Sequence, residues 1–267
     1  MIKFFDEVKI LKTPRSKKVV IFQCDENFFN SYGFYNLVSC EKHNLNVHIH
    51  FINPSKLFLN KIKNLNLDIQ LSYSQEFINT DINFYKLKSY YFCSRYYITN
   101  YLFEKELIEE AFITDADIIF NEQIEIPSNF KLGILYFPKH NNLWKQTGAN
   151  FSYIHKNKKS FLETVIKIYE DKLITTKFEN ITDNMNKVEK ANLYGLDQVC
   201  MSLALKENFI DNEFINLTII DKFIGKSLDF KIWSLTGGGK SNSNLKFLLD
   251  RTLPDKYKHD KEIRRIV

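Results

Sequence analysis

The spacing of hydrophobic and polar positions changes several times along the chain. Lys18-Val19-Val20-Ile21-Phe22-Gln23 is a short apolar run that predicts a buried strand. Behind it, from Ser31 to His43, Phe34, Leu37, Val38 and then Leu45 recur at helical spacing after a serine start, which predicts a helix. Val47-His48-Ile49-His50-Phe51-Ile52 alternates as a strand does, Pro54 to Ile62 reads as a short helix, and Leu67 to Leu71 as another strand. Aromatic-rich Tyr85 to Glu110 is long enough for one or two helices. Ala111-Phe112-Ile113-Thr114 then predicts a buried strand that ends in Asp115-Ala116-Asp117. Strands alternating with helices over this first half argue for an α/β fold with a mostly parallel central sheet and helices on both faces.

The second half is more mixed. Leu132 to Phe137 and Phe151 to His155 predict strands, Lys158 to Asp171 an amphipathic helix, and Asp197 to Leu205 a helix with Asp197 at its N-cap. Leu217 to Ile220 and Phe230 to Leu235 predict late strands, and the chain then enters Gly237-Gly238-Gly239-Lys240. Neither an internal repeat nor a Gly/Ser-rich or Pro-rich linker divides the sequence. The expectation is one domain over residues 1–250, its halves at about 18–120 and 121–250, followed by a basic tail at 251–267.

Composition narrows the class. With 267 residues, 44% hydrophobic and 26% charged, the chain has the make-up of a globular protein and is long enough to bury a large core. No apolar stretch approaches the ~18 residues of a membrane span, and Lys3, Asp6, Glu7 and Lys9 break the N-terminal segment, so a cytoplasmic address is expected. The four cysteines are far apart with no Cys-x-x-Cys, which predicts core thiols and neither a disulfide framework nor a zinc site. Net charge is +5, and the last 17 residues hold six Lys/Arg against three Asp/Glu. That tail is too weakly basic, and too poor in interleaved aromatics, for a nucleic-acid face. It reads as a solvated segment, with peripheral contact to an anionic membrane as the alternative.

Three groups of residues carry candidate chemistry. Asp115-x-Asp117 places two carboxylates at the C-terminal end of a strand, where they suit a hard cation, Mn²⁺ or Mg²⁺. Two solvated loop carboxylates are the plainer alternative. Asp25-Glu26-Asn27 follows the first strand, at the place where open α/β sheets receive a nucleotide; a simple turn is the alternative there. Gly237 to Lys240 offers backbone N–H groups and an ammonium to a diphosphate. It is not a P-loop, because Ser234 stands where that pattern needs glycine and only 27 residues follow Lys240.

In chain order, Asp25-Glu26-Asn27, Ser94-Arg95, Phe112-Ile113-Thr114-Asp115-Ala116-Asp117, Asn150-Phe151-Ser152, Leu196-Asp197-Gln198 and Gly237-x-x-Lys240 resemble the motifs of glycosyltransferase family 8 and its GT-A-fold relatives. The resemblance runs from Val19 to about Lys240. It implies a GT-A-like nucleotide-diphospho-sugar transferase fold and a metal-dependent hexosyltransferase. The donor would be a nucleotide diphosphate sugar, UDP-sugar first, and the acceptor a saccharide or lipid-linked hydroxyl, with retention. By resemblance, Asp25 and Asn27 hold the nucleoside and Arg95 reaches the donor sugar and diphosphate. Asp115 and Asp117 bind the metal, Asp115 and Asn150 belong to the donor site, and Asp197 and Gln198 face the sugar, with Gln198 near the anomeric carbon. Gly237 and Lys240 close over the diphosphate. Where that family carries a histidine ligand this chain has Ser234, which leaves water or another side chain such as His259 to complete the metal shell, or the metal dispensable.

Two further readings compete. An apolar strand followed by Asp-x-Asp also resembles the nucleophile and acid of haloacid-dehalogenase-type phosphohydrolases. The Ser234 departure also fits a homologue that binds nucleotide sugar without catalysis. Elsewhere the bland interpretation leads. His48 and His50 read as the polar side of a half-buried strand, and Tyr85, Tyr90, Tyr91, Phe92, Tyr96, Tyr97 and Tyr101 mainly as core. Arg95 needs an anion, and Glu104 or Glu106 is a structural candidate.

Overall fold

A computed structural model describes residues 8–78, 84–175, 195–207, 212–227 and 229–235, together with Leu253 and Tyr257. Gly237, Lys240 and His259, and nearly all of the basic tail, lie outside the described residues. The chain begins with β1 (Lys9–Lys12), β2 (Lys18–Cys24), α1 (Glu26–Phe28), a π-helical turn (Phe29–Gly33) and α2 (Phe34–Lys42). Then come β3 (Val47–Ile52), α3 (Lys56–Lys63), β4 (Leu71–Glu76), α4 (Phe84–Glu104), β5 (Glu110–Thr114) and β6 (Ile118–Phe120). The second half holds β7 (Leu132–Tyr136), α5 (Leu143–Gln146), β8 (Thr147–His155), α6 (Lys159–Thr175), α7 (Leu196–Glu207), β9 (Phe214–Asn216), β10 (Ile224–Gly225) and β11 (Ile232–Ser234).

An eight-stranded sheet in the order β1-β4-β3-β2-β5-β8-β7-β9 spans both halves of the chain. β4, β3, β2 and β5 are parallel, β8 is reversed against β5 and β7, and β9 runs parallel to β7. β2, β3 and β4 are laid down outward in one direction, and α4 then carries the chain back so that β5 pairs on the other side of β2. A strand order that turns about in this way opens a crevice at the carboxyl ends of the two central strands.

Alternate residues of the central strands feed two separate cores, because strand side chains point to opposite faces. Val20, Phe22, Phe112 and Phe151 pack with α2, α3 and the small sheet β10-β11-β6. Val19, Ile21, Ala111 and Ile113 pack with α4, α6 and α7. The α/β class with helices on both faces follows from that division. In the first layer the π turn seats Phe29, fully buried, edge-on to the Phe51 and Phe58 rings at 5.7 and 5.4 Å. Gly33 permits this closure, since a Cβ there would lie 3.0 Å from the Phe29 ring.

Several boundaries differ from those the periodicity predicts. The strand expected at Leu67 to Leu71 is β4, which starts at Leu71 and continues through residues that look too polar for a core strand. The reason is a buried polar ladder. His48 bonds Ser72 and Ser74 at 3.0 Å each, and His50 bonds Ser74 at 2.8 Å and lies 3.2 Å from a Glu76 carboxylate oxygen. β3 is thus buried on both faces, not half-buried, and Glu76 is the carboxylate partner that sequence spacing did not reveal. Leu217 to Ile219 is a 3₁₀ turn, and the strand lies just before it as β9. All four cysteines are free and buried, as expected. Within the segment read as a solvated tail, Leu253 and Tyr257 are buried against the first core, with the Tyr257 hydroxyl donating to Glu41 at 2.5 Å. Among the described residues no helix is long and apolar enough to cross a membrane.

Candidate functional site

The crevice is occupied by a cavity of ≈ 370 Å³, lined at the strand ends by Gln23, Cys24, Asp25, Asp115, Ala116 and Asp117. Phe28 of α1 and Leu87, Lys88, Tyr91 and Phe92 of α4 form the facing wall. Its size and largely apolar walls with a few convergent polar groups are those of a small-molecule site.

The backbone around the two neighbouring carboxylates is pinned from three sides. Asp115 donates its N–H to the Asn150 carbonyl at 3.1 Å, and its own carbonyl accepts from the Asn36 side chain at 3.1 Å. β6 follows immediately and pairs antiparallel with β11, Ser234 opposite Ile118. Leu235 donates to the Asp117 carbonyl at 3.1 Å, and the Asn150 amide donates to the Ser234 hydroxyl at 3.1 Å. β11 therefore delivers the residues that precede the glycine loop to the side of Asp117. Asn150 supports this cluster without lining the cavity.

Arg95 lies behind Asp115. The guanidinium is only 1% exposed, with one nitrogen donating to Asp115 Oδ1 and the other to Asp197 Oδ2 at 2.6 Å. The anions that balance it are these two, not Glu104 or Glu106. It is not among the residues that line the cavity, and it meets the lining through its bond to Asp115. Asp197 is inside the first turn of α7, which begins at Leu196, and its Oδ1 accepts from the N–H of Gln198 at 2.8 Å. The Gln198 carbonyl accepts from the Thr147 hydroxyl at 2.8 Å. Arg95 thus links the end of β5 to the start of α7, bringing Asp115, Asp197 and Gln198 into one neighbourhood.

Asp25 serves both the turn and the cavity. It is the N-cap of α1, with Oδ1 accepting from Phe28 N at 2.7 Å, and it also lines the cavity. Asn27 is exposed and takes no part in the lining. Sequence reasoning placed Tyr91 and Phe92 with the core tyrosines and passed over Phe28 and Lys88. The usable signal was Arg95 itself: Lys88, Tyr91 and Phe92 precede it by seven, four and three residues, which is one helix face.

Burial, outweighing the nearby guanidinium, pushes the Asp197 carboxyl up to about 6. A carboxyl raised in the folded state binds its proton more tightly there than in the unfolded chain. Its stabilisation is complete below the unfolded value and is lost as pH rises through the folded one. Wild type should therefore lose stability relative to Asp197→Asn between about pH 4 and pH 6, by roughly 1 kcal/mol per pH unit. Urea midpoints of both proteins across that range test this; parallel profiles contradict it.

No family model and no curated protein matches the chain.

Proposed function

We propose that the protein is a cation-assisted glycosyltransferase of GT-A type, taking its sugar from a nucleoside diphosphate donor, with a UDP-sugar the first choice, and passing it with retention to a saccharide or lipid-linked hydroxyl. The observation that carries this reading is the meeting of Asp25, Asp115 and Asp117 with an aromatic wall in one cavity at the turnabout of strand order. The parallel run β4-β3-β2-β5, the reversed β8 beside it and the mixed half that follows support the same assignment.

The residues fit a divalent cation in a limited sense. Among the described residues no three His, Cys, Asp or Glu side chains gather as a complete site. Mg²⁺, and Mn²⁺ likewise as a hard ion, commonly takes one or two carboxylates together with substrate phosphates and water, and Asp115 with Asp117 supplies that many. When bound, the cation offsets charge on the departing diphosphate.

The chain's own residues do the rest. Phe28, Tyr91 and Phe92 exclude water and offer apolar faces to a nucleoside, beside Asp25. Lys88 adds a cationic wall. Arg95 ties Asp197, and with it Gln198, to Asp115, and in this reading these two residues act on the sugar. Gly237 and Lys240, which lie outside the described residues, come in sequence just after Ser234 and Leu235, which bond beside Asp117, and in this reading they close over phosphate.

Thermal melts with UDP, GDP, CDP and ADP, each with and without Mn²⁺, test the reading. A ligand at a hundred times its dissociation constant stabilises the folded state by about 2.7 kcal/mol. UDP is expected to raise the melting temperature only when Mn²⁺ is present. No shift with any of the four removes the proposal, and a shift without donor hydrolysis or transfer turns it to binding alone.

A further inference from the structure

We propose that Arg95 gates the cation: it occupies Asp115 while the cavity lacks diphosphate, and thereby makes cation and diphosphate bind as a coupled pair. The proposal rests on the reading of the cavity as a diphosphate site. Its starting point is geometric. The guanidinium is buried between Asp115 and Asp197, whereas the Asp115 side chain is 29% exposed and lines the cavity. Asp115, a carboxylate of the cavity lining, is therefore already engaged from the protein side.

Charge makes the coupling follow. A dication arriving alone at Asp115 shares that carboxylate with a buried guanidinium, and like charges so close, partly out of water, repel strongly. A diphosphate arriving alone meets Asp25, Asp115 and Asp117 on the cavity wall, with Lys88 as the cation facing them. Together the two ligands relieve both penalties, because phosphate oxygens accept the dication's remaining charge and draw the guanidinium's field away from Asp115. Any such effect is reciprocal: each ligand raises the affinity for the other by the same factor, typically 5–150-fold. Arg95 is in this sense a positioning residue that works through Asp115.

The opposite prediction for a loss of function makes the idea easy to test. Arg95→Gln removes the competing charge, so the variant is expected to bind Mn²⁺ alone at least fivefold more tightly than wild type, and the mutual enhancement of Mn²⁺ and UDP is expected to shrink at least fivefold. Because that change leaves Asp197 buried without its cation, Arg95→Gln/Asp197→Asn is measured beside it, an amide pair that keeps the layer neutral. Mn²⁺ binding is read from the free-ion electron paramagnetic resonance signal, UDP binding by calorimetry with and without Mn²⁺, and folding by circular dichroism. A damaged fold weakens metal binding, so a gain in affinity separates gating from a structural role. Unchanged or weaker Mn²⁺ binding in the folded variants overturns the gate, as does wild-type protein that binds UDP yet binds Mn²⁺ equally well with and without it. If wild type binds no nucleoside diphosphate and the variants still gain Mn²⁺ affinity, the hold of Arg95 on Asp115 stands and the transferase reading falls.

Discussion

Under the proposed transferase function, Asp115→Asn and Asp117→Asn are each expected to cut sugar transfer at least a hundredfold while leaving the protein folded. Removing a single preorganised group that stabilises developing charge typically costs ~10²–10³ in rate, and a carboxylate that holds a dication against a departing diphosphate belongs to that kind. Asparagine keeps the shape of aspartate, so the backbone bonds that fix this turn, to Asn150, Asn36 and Leu235, survive. The two variants separate in stability. Asp115→Asn turns a charge pair with a buried guanidinium into a neutral hydrogen bond, and losing one partner of a buried charge is costly. Its melting temperature should drop further than that of Asp117→Asn, although both lose turnover. Initial rates of transfer and of donor hydrolysis with a UDP-sugar and Mn²⁺, taken with melting curves, decide the matter. Undiminished turnover in both variants would leave the cavity without its central chemistry.

Where this site lies was legible in the sequence because strand ends are encoded locally. An apolar run followed abruptly by Asp25, and another followed by Asp115 and Asp117, mark two strand ends, and the alternation of helices and strands between them implies a parallel sheet with both ends on one edge; that the two strands are neighbours is seen only in their pairing. The third dimension was not legible in the same way. Tyr91 and Phe92 have the composition of core residues, and only the position of α4 across the mouth of the crevice makes them a wall. Arg95 announced a need for an anion, but its partners lie 20 and 102 residues away in sequence, beyond anything spacing can indicate. β4 was displaced for a related reason: Ser72, Ser74 and Glu76 look solvent-facing until His48 and His50 on the neighbouring strand satisfy them. Hydrophobic pattern reports what prefers to leave water. It does not report polar groups that leave water as a bonded set.

That bonded set predicts a large stability loss. Glu76 is 1% exposed, with Oε1 3.2 Å from His50 Nε2 and Oε2 accepting from the Tyr90 hydroxyl at 2.8 Å. Glu76→Ala takes the carboxylate from His50 and from Tyr90 at once, and leaving a buried polar group without its partner costs about 1–3 kcal/mol for each. At roughly 2–4 °C per kcal/mol for a domain of this size, the melting temperature should fall on the order of 10 °C. Tyr90→Phe removes one hydrogen bond and should cost about 1 kcal/mol. Combining the two changes should cost less than their sum, since residues in one network are coupled. Acid should act on the same ladder. Burial first, and His50 second, push the His48 imidazole down to about 3, so it is neutral in the folded protein. Its stabilisation is complete above the ordinary value of 6.5 and is lost as pH falls toward 3, the reverse of the Asp197 effect. Tyr90 adjoins Tyr91 and Phe92 on α4, so loosening Glu76 also loosens the cavity wall, and nucleotide binding should weaken together with stability. Urea unfolding of Glu76→Ala, Tyr90→Phe and the double variant measures each of these quantities. A Glu76→Ala protein within about 1 kcal/mol of wild type would mean that the buried ladder contributes little beyond the apolar packing around it.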